Sequence, residues 1–137
     1  MADDLQSSIA IAGSGMRAQS SRLKVVAENI ANSETTSLTP GGEPYQRKTI
    51  HFKNVLDKEI GAEIVKVSKI GFDTAPFTRE YNPSHPAADA DGFVLKPNVN
   101  MSVENADLKE AQRSYEANLG VIEVTKTMLA RTLELLR

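Results

Sequence analysis

Cysteine and tryptophan are absent from this 137-residue chain, and its aromatic residues are only three tyrosines and four phenylalanines. Without cysteine, the chain forms no disulfide, offers no thiolate to a metal and has no cysteine nucleophile, so it can work in a reducing or an oxidising compartment. The length is that of one ordinary domain, but few large side chains are available to fill its core.

Neither a large excess of one charge nor a long hydrophobic run is present. The formal net charge is −2 with both signs interspersed, so the sequence gives no reason to expect nucleic acid or an anionic membrane as a partner. No stretch approaches the ~20 consecutive apolar residues of a membrane-spanning helix, so no membrane insertion is expected. The first residues include Asp3 and Asp4 and lack an apolar h-region, which argues against a Sec signal. Export, if it occurs, would use another route.

Apolar residues recur at heptad spacing near the start of the chain, and this pattern predicts a long helix. Its seam follows alternating steps of four and three and is apolar at all positions but one: Leu5, Ile9, Ala12, Met16, Gln19, Leu23, Val26 and Ile30. Gly13 and Gly15 lie in this predicted helix outside the seam, and each destabilises the helix by ~1 kcal/mol relative to Ala. They weaken it unless a neighbouring element comes close there.

The last third of the chain, residues 102–137, predicts a second helix with two adjacent apolar faces. The first face comprises Leu108, Ala111, Tyr115, Leu119, Ile122, Leu129, Leu133 and Leu136. The second comprises Ala117, Val121, Val124, Met128 and Leu135. We expect the first face to pair with the N-terminal helix. The second then has no partner within the chain and is expected to contact another molecule.

Between the helices, residues 33–100 are rich in proline and glycine and contain short β-type runs. These runs are RKTIHF (47–52), EIVKVSKI (63–70), FTREY (77–81) and GFVLK (92–96), separated by turn signals such as PGGEP (40–44) and DADG (89–92). The predicted class is α+β. Residues 1–32 and 101–137 are expected to form one discontinuous, coiled-coil-like α-helical assembly domain, with a small loop-rich β insert at 33–100.

Candidates for catalysis or metal binding are weak. His51 and His85 are the only histidines, and His85 could be grouped with Asp89 and Asp91 as a metal or acid–base cluster. His85 lies between prolines in a turn-rich stretch, and a lone histidine without a second ligand is rarely a site, so a structural turn is the favoured interpretation. We predict no catalytic residue, no metal and no cofactor.

Two glycine-containing motifs also fail as ligand sites. If Gly92 of DADG were the sixth position of a calcium loop, the first and twelfth positions would be Ala87 and Asn98, which supply no carboxylate. GSG at 13–15 lacks the lysine and the preceding strand of a phosphate loop. The two motifs are better explained as a turn and as part of a helix, respectively.

Three longer stretches carry a family resemblance that covers nearly the whole chain. They are SSRLKVVAENIANSETT (20–36), NPSHPAADADGFVLKPNVN (82–100) and ADLKEAQRSYEANLGVIEVTKTMLARTLELL (106–136). Together they resemble the bacterial flagellar basal-body rod proteins. The ANxxT element at Ala31, Asn32 and Thr35 is common to axial rod and hook proteins, whereas the HPAAD-to-PNVN segment is similar to the C-type subunits of the proximal rod. Asn32 also has a plain structural explanation, because asparagine tolerates the left-handed conformation that ends helices.

The resemblance implies a structural protein without enzymatic activity. Such subunits polymerise helically into a hollow drive shaft in the periplasmic basal body, which transmits torque and carries exported flagellar components. The implied partners are other rod proteins, copies of the same chain and the flagellar type III export apparatus, which delivers the subunit without a cleaved signal peptide. Another axial rod or hook-family subunit, or a soluble coiled-coil adaptor, is the alternative.

The terminal helices would then carry the contacts between subunits, and the insert would face outward. The residues expected at these contacts are Leu5, Ile9, Met16, Leu23, Val26, Ile30, Asn32, Tyr115, Leu119, Val121, Ile122, Val124, Met128, Leu129, Leu133 and Leu136.

Overall fold

The computed structural model describes residues 2–137 and confirms the α+β class, with two long helices that flank a small β segment in the chain. The elements in chain order are α1 (Ala2–Ala31), β1 (Lys48–Asp57), β2 (Ala62–Phe72), β3 (Thr78–Tyr81), β4 (Phe93–Lys96) and α2 (Met101–Leu135). All four β-type runs identified in the sequence form strands. Their alternation of apolar and polar side chains, bounded by glycine, proline and aspartate, explains why the chain is extended there.

The strands form two separate two-stranded sheets, β1–β2 and β3–β4. β3 and β4 are antiparallel, with Thr78 opposite Lys96 and Tyr81 opposite Phe93. The turn before β4 contains Gly92 at φ +83°, a conformation that favours glycine. A Cβ atom there would also lie 3.0 Å from the Tyr81 ring, so the turn needs glycine for two reasons.

The chain forms two compact units. One consists of the chain up to Leu23 with Ile50–Lys69 and Lys109–Arg137, and the other of Lys24–Thr49 with Ile70–Leu108. Each unit therefore takes part of both helices and part of the β segment. The division into an assembly domain at 1–32 and 101–137 and an insert at 33–100 stays a prediction.

Small side chains make up much of the interior of the first unit. Ala12, Ala18 and Ala111 are buried with Ile64. Ser14 is buried as well, and its hydroxyl donates to the Ile11 carbonyl at 2.7 Å and accepts from the Val65 N–H at 3.1 Å. Ser14 thus joins α1 to β2 from a position outside the heptad seam.

Gly15 lies where α1 and α2 come close together. A Cβ atom at this position would be 2.8 Å from Nδ2 and 3.1 Å from Cγ of Asn118. At Gly13, the nearest atom to such a Cβ would be in the Arg17 guanidinium, 3.7 Å away. A neighbouring element therefore does come close at Gly15.

We expect Gly13→Ala and Gly15→Ala to have different effects on the stability of the purified chain. Gly13→Ala should raise the free energy of unfolding by up to ~1 kcal/mol through helix propensity. Gly15→Ala should lower it by ~1–3 kcal/mol relative to Gly13→Ala, because Asn118 must move. Urea unfolding measures both, and Asn118→Ala should rescue the Gly15 variant. Equal stabilisation by the two substitutions would contradict the close packing at Gly15.

The face of α2 that is shielded within the chain differs in part from the face that the sequence predicted. Leu119 and Leu133, expected to pack within the chain, are 40% and 60% exposed. One row of buried and half-buried positions follows steps of four and three: Glu104, Leu108, Ala111, Tyr115, Asn118, Ile122, Thr125, Leu129 and Thr132. Thr125 and Thr132 can occupy this face because each hydroxyl donates to the carbonyl four residues earlier, at 2.7 and 2.8 Å. Their polar character concealed them from an analysis of apolar residues.

Candidate assembly surface

A buried polar network anchors the end of α1 in the second unit. The side chain of Asn29 uses all four of its hydrogen-bonding positions. Its Nδ2 donates to the Lys48 carbonyl at 2.9 Å and to Oε2 of Glu104 at 3.2 Å. Its Oδ1 accepts from the Lys48 N–H at 2.9 Å and from the Tyr45 hydroxyl at 2.8 Å. One side chain therefore holds the end of α1, the start of β1 and the start of α2 together.

Glu104 is the charged centre of this network, and its side chain is 0% exposed. Nε of Arg47 donates to its Oε1 at 2.5 Å. The same guanidinium contacts Asp73 at 3.4 Å and Asp107 at 3.7 Å. Burial acts to lower the pKa of Arg47, but the hydrogen bond to Glu104 and the three carboxylates outweigh it, and the net effect raises the pKa above its ordinary value. A buried carboxylate requires this compensation.

Asn32 follows α1 and forms a turn through its side chain. Its Nδ2 donates to the Glu28 carbonyl at 2.9 Å, and its Oδ1 accepts from the Thr35 hydroxyl at 3.1 Å. Among residues 2–137 only glycines have positive φ, so Asn32 ends the helix without the left-handed conformation. These bonds account for the ANxxT element as a local structure. A role of Asn32 in a subunit contact stays a prediction.

The predicted interface residues on α1 are mostly half-buried. Val26 is buried, at 4% exposure. The other five are half-buried: Leu5, Ile9, Met16, Leu23 and Ile30. In this chain α1 therefore has limited apolar surface left to offer a partner.

α2 differs, because many of its apolar side chains face solvent. Val121, Val124 and Met128 are 47%, 60% and 52% exposed, and Leu135 is 87% exposed. These four residues recur at steps of three, four and seven and so share one side of the helix. We call them the apolar stripe. Their exposure fits the expectation of a second face with no partner in the chain.

The remaining predicted interface residues on α2 fall into two groups. Leu119, Leu133 and Leu136 are exposed. Tyr115, Ile122 and Leu129 are half-buried. The apolar stripe offers no polar atom of its own beyond the backbone of the helix, and the exposed Arg131 follows Met128 by three residues. Such a surface can exclude water against a partner of matching shape but has no group for bond-making chemistry.

The loop around His85 is a structural turn. The His85 Nδ1 accepts from the Ala87 N–H at 3.0 Å. The carboxyl of Asp89 accepts from the N–H groups of Phe93 and Asp91. The Phe93 bond is the largest cause of a pKa for Asp89 below its ordinary value, to which Arg79 adds. Across residues 2–137, no three His, Asp or Glu side chains are grouped as they would be around a metal ion.

Neither helix of the described chain combines the length and apolar character that crossing a membrane requires.

Sequence reasoning missed Asn29, Arg47 and Glu104. Asn29 lies in the last turn of α1 and Glu104 in the first turn of α2, and a polar side chain that is buried there must find a partner. The partner of Glu104 comes from the loop before β1, which helix periodicity cannot reveal.

Comparison with protein families gives two matches. The family described as "Flagella basal body rod protein" matches residues 9–37. The family described as "Flagellar basal body rod FlgEFG protein C-terminal" matches residues 90–135. These ranges cover most of α1 and all of β4 and α2, so the shared features lie mainly in the helices.

Individual relatives extend the similarity to the whole chain. The flagellar basal-body rod protein FlgC of Agrobacterium fabrum is 51% identical over 135 residues, which cover 98% of this chain and 97% of that protein. FlgC of Salmonella typhimurium is 40% identical over 127 residues, covering 91% and 92%. FlgC of Bacillus subtilis is 38% identical over 143 aligned positions, covering 93% and 95%. The chain therefore belongs to the flagellar basal-body rod protein family and is a structural subunit of the flagellar rod.

Proposed function

We propose that the chain polymerises helically with other rod proteins and with copies of itself, forming part of a hollow periplasmic shaft that transmits torque and lets exported flagellar components pass. The supporting observation is the apolar stripe, an exposed row of apolar side chains on a long helix. Large exposed apolar surfaces typically mark contacts with other molecules. The role is structural, with no substrate and no cofactor.

An open assembly requires contacts between unlike surfaces. A surface patch that meets a different patch on the next subunit produces stacks or filaments unless the rotation closes a ring. A rod needs such contacts, because each added subunit must leave a surface for the next one.

A coiled-coil adaptor would use the same helices differently. Sedimentation of the purified chain with its purified rod neighbours separates the two functions. A rod subunit gives open stacks with its neighbours and stays small alone. A defined small complex whose size does not grow with concentration would contradict the proposal and favour the adaptor.

The proposed delivery route is the flagellar type III export apparatus, with retention of the N-terminal segment. The acidic residues Asp3 and Asp4 lie in the first turn of α1, where negative charge is favourable. We expect mass spectrometry of isolated basal bodies to find the subunit with both residues present. A mature form beginning near Gly13 or later would show cleavage and contradict this route.

A further inference from the structure

One edge of β2 faces α1 in the first unit and pairs with no other strand. The Val65 N–H donates to the Ser14 hydroxyl oxygen at 3.1 Å, so it points towards α1 and away from β1. Backbone groups along a strand alternate between its two edges, so the N–H and C=O of Val67 point the same way as those of Val65. Within residues 2–137 this sheet contains only β1 and β2, so the edge has no further strand.

α1 caps this edge at Val65 but not at Val67. Four residues of helix advance ~6 Å and two residues of strand ~6.6 Å, so Ala18 comes alongside Val67 as Ser14 does alongside Val65. Ala18 and Val67 do line the same groove. Because alanine has no polar side-chain atom, it cannot accept from the Val67 N–H as Ser14 accepts from Val65. The edge of β2 is therefore open from Val67 onward.

The groove at this open edge carries positive charge. It has a volume of about 330 Å³ and is lined by Arg17, Ala18, Ser21, Val65, Lys66 and Val67. That volume lies within the range of ~300–1,000 Å³ that is typical of ligand sites. Arg17 and Lys66 are exposed, and no carboxylate is among the lining residues. We call this site the β2-edge groove.

We propose that an extended acidic segment of a partner protein binds in the β2-edge groove as an added strand. Its backbone pairs with the N–H and C=O of Val67, and its carboxylates lie next to Arg17 and Lys66. The charge of the groove selects an acidic occupant, because the lining offers two cations and no anion. The open edge selects an extended one, because only an extended backbone presents donors and acceptors at strand spacing. This contact goes beyond the proposed function, since it uses β2 and not the apolar stripe.

Amide hydrogen exchange of the free, full-length chain tests the open edge. Val65 and Val67 are both half-buried on the same strand, and only the Val65 N–H has a hydrogen-bond acceptor on α1. We expect the Val65 amide to exchange at least tenfold more slowly than the Val67 amide in NMR spectra. Equal protection of the two amides would show that the Val67 N–H already has a partner, and the proposal would fall.

Dye-labelled, acetylated hexapeptides test the binding to the full-length chain by fluorescence anisotropy at low salt. The peptide EVEVEV should bind saturably and slow exchange of the Val67 amide at least tenfold. EPEPEP has the same charge, but its prolines lack the N–H groups that strand pairing needs. KVKVKV can form a strand but has the opposite charge. Both control peptides should bind at least tenfold more weakly than EVEVEV.

Variants locate the site. Arg17→Glu should weaken binding of EVEVEV at least tenfold, whereas Arg113→Glu, the same charge change at an exposed position of α2 outside the groove, should bind within twofold of the original chain. Val67→Pro removes the outward N–H and should also weaken binding at least tenfold, because proline is tolerated at a strand edge that pairs with no neighbour. Circular dichroism checks the fold of each variant. Arg17→Glu and the exchange data decide the question even if Val67→Pro does not fold.

Several outcomes would overturn the proposal. Equal binding of EPEPEP would show attraction to any polyanion without strand pairing, and equal binding of KVKVKV would show that charge does not select the occupant. Undiminished binding to the Arg17→Glu chain would place the peptide elsewhere, and no binding of EVEVEV would remove the contact. None of these results involves the apolar stripe, so the proposed function would stand while this contact fails.

Discussion

Cells carrying Val124→Asp are expected to export and fold the subunit but not to swim. Val124 is 60% exposed in the isolated chain, so an aspartate there remains hydrated and should change the free energy of unfolding by no more than ~0.5 kcal/mol. In an assembled rod the same carboxylate would lie unpaired in an apolar contact, at a cost of several kcal/mol per contact. Because the contact repeats at each subunit, the rod should stop short and carry no hook.

The measurements are swimming in soft agar, electron microscopy of basal bodies and circular dichroism of the purified variant. Thr127→Asp is the matched control, because Thr127 is exposed on the same helix, three residues away and off the stripe. This control should swim normally. Normal swimming of the Val124→Asp cells would show that the stripe faces solvent in the rod, and the polymer role of this face would have to be abandoned.

Apolar periodicity alone assigned Leu119 and Leu133 to the wrong face of α2. Apolar spacing correctly indicated a helix, and it correctly indicated more apolar surface than one neighbour could cover. It missed four of the nine shielded positions, because Glu104, Asn118, Thr125 and Thr132 are polar. Asn118 packs against Gly15, and the Thr132 hydroxyl is satisfied by its own helix, so neither residue must face water.

The strands and turns were predictable because their sequence signals are local. In RKTIHF and EIVKVSKI the β-branched residues and the alternation of polarity act locally, and Gly92 marks a turn that almost no other residue can form. The network around Asn29 was not predictable, because it joins residues 29, 45, 47 and 104, which are distant in sequence. Hydrogen bonds between such residues leave no periodic signal, although each is visible in the structure.

Removing Arg47 should produce the largest loss of stability in the purified chain. Arg47→Leu leaves the fully buried Glu104 without its cation, and breaking a buried pair in this way costs ~3–5 kcal/mol. Since whole domains are stable by only ~5–15 kcal/mol, the variant should unfold at much lower urea concentration or fail to fold. Lys48→Met is the matched control. It breaks the neighbouring Lys48–Glu28 pair at 2.7 Å, whose side chains are 34% and 35% exposed, and should leave the urea midpoint nearly unchanged because solvent screens the pair.

The double variant Arg47→Leu/Glu104→Gln separates charge from packing. Glu104→Gln removes the buried charge, and the amide oxygen of the new side chain can still accept the hydrogen bond that Asn29 donates to Oε2 of Glu104 at 3.2 Å. A neutral pair of similar volume is often as stable as the ion pair it replaces, so the double variant should recover most of the loss caused by Arg47→Leu. Urea unfolding of the four proteins of this cycle gives the coupling energy. If the double variant were as unstable as Arg47→Leu, the arginine would act through packing of its stem, and the buried charge would not be what makes this position critical.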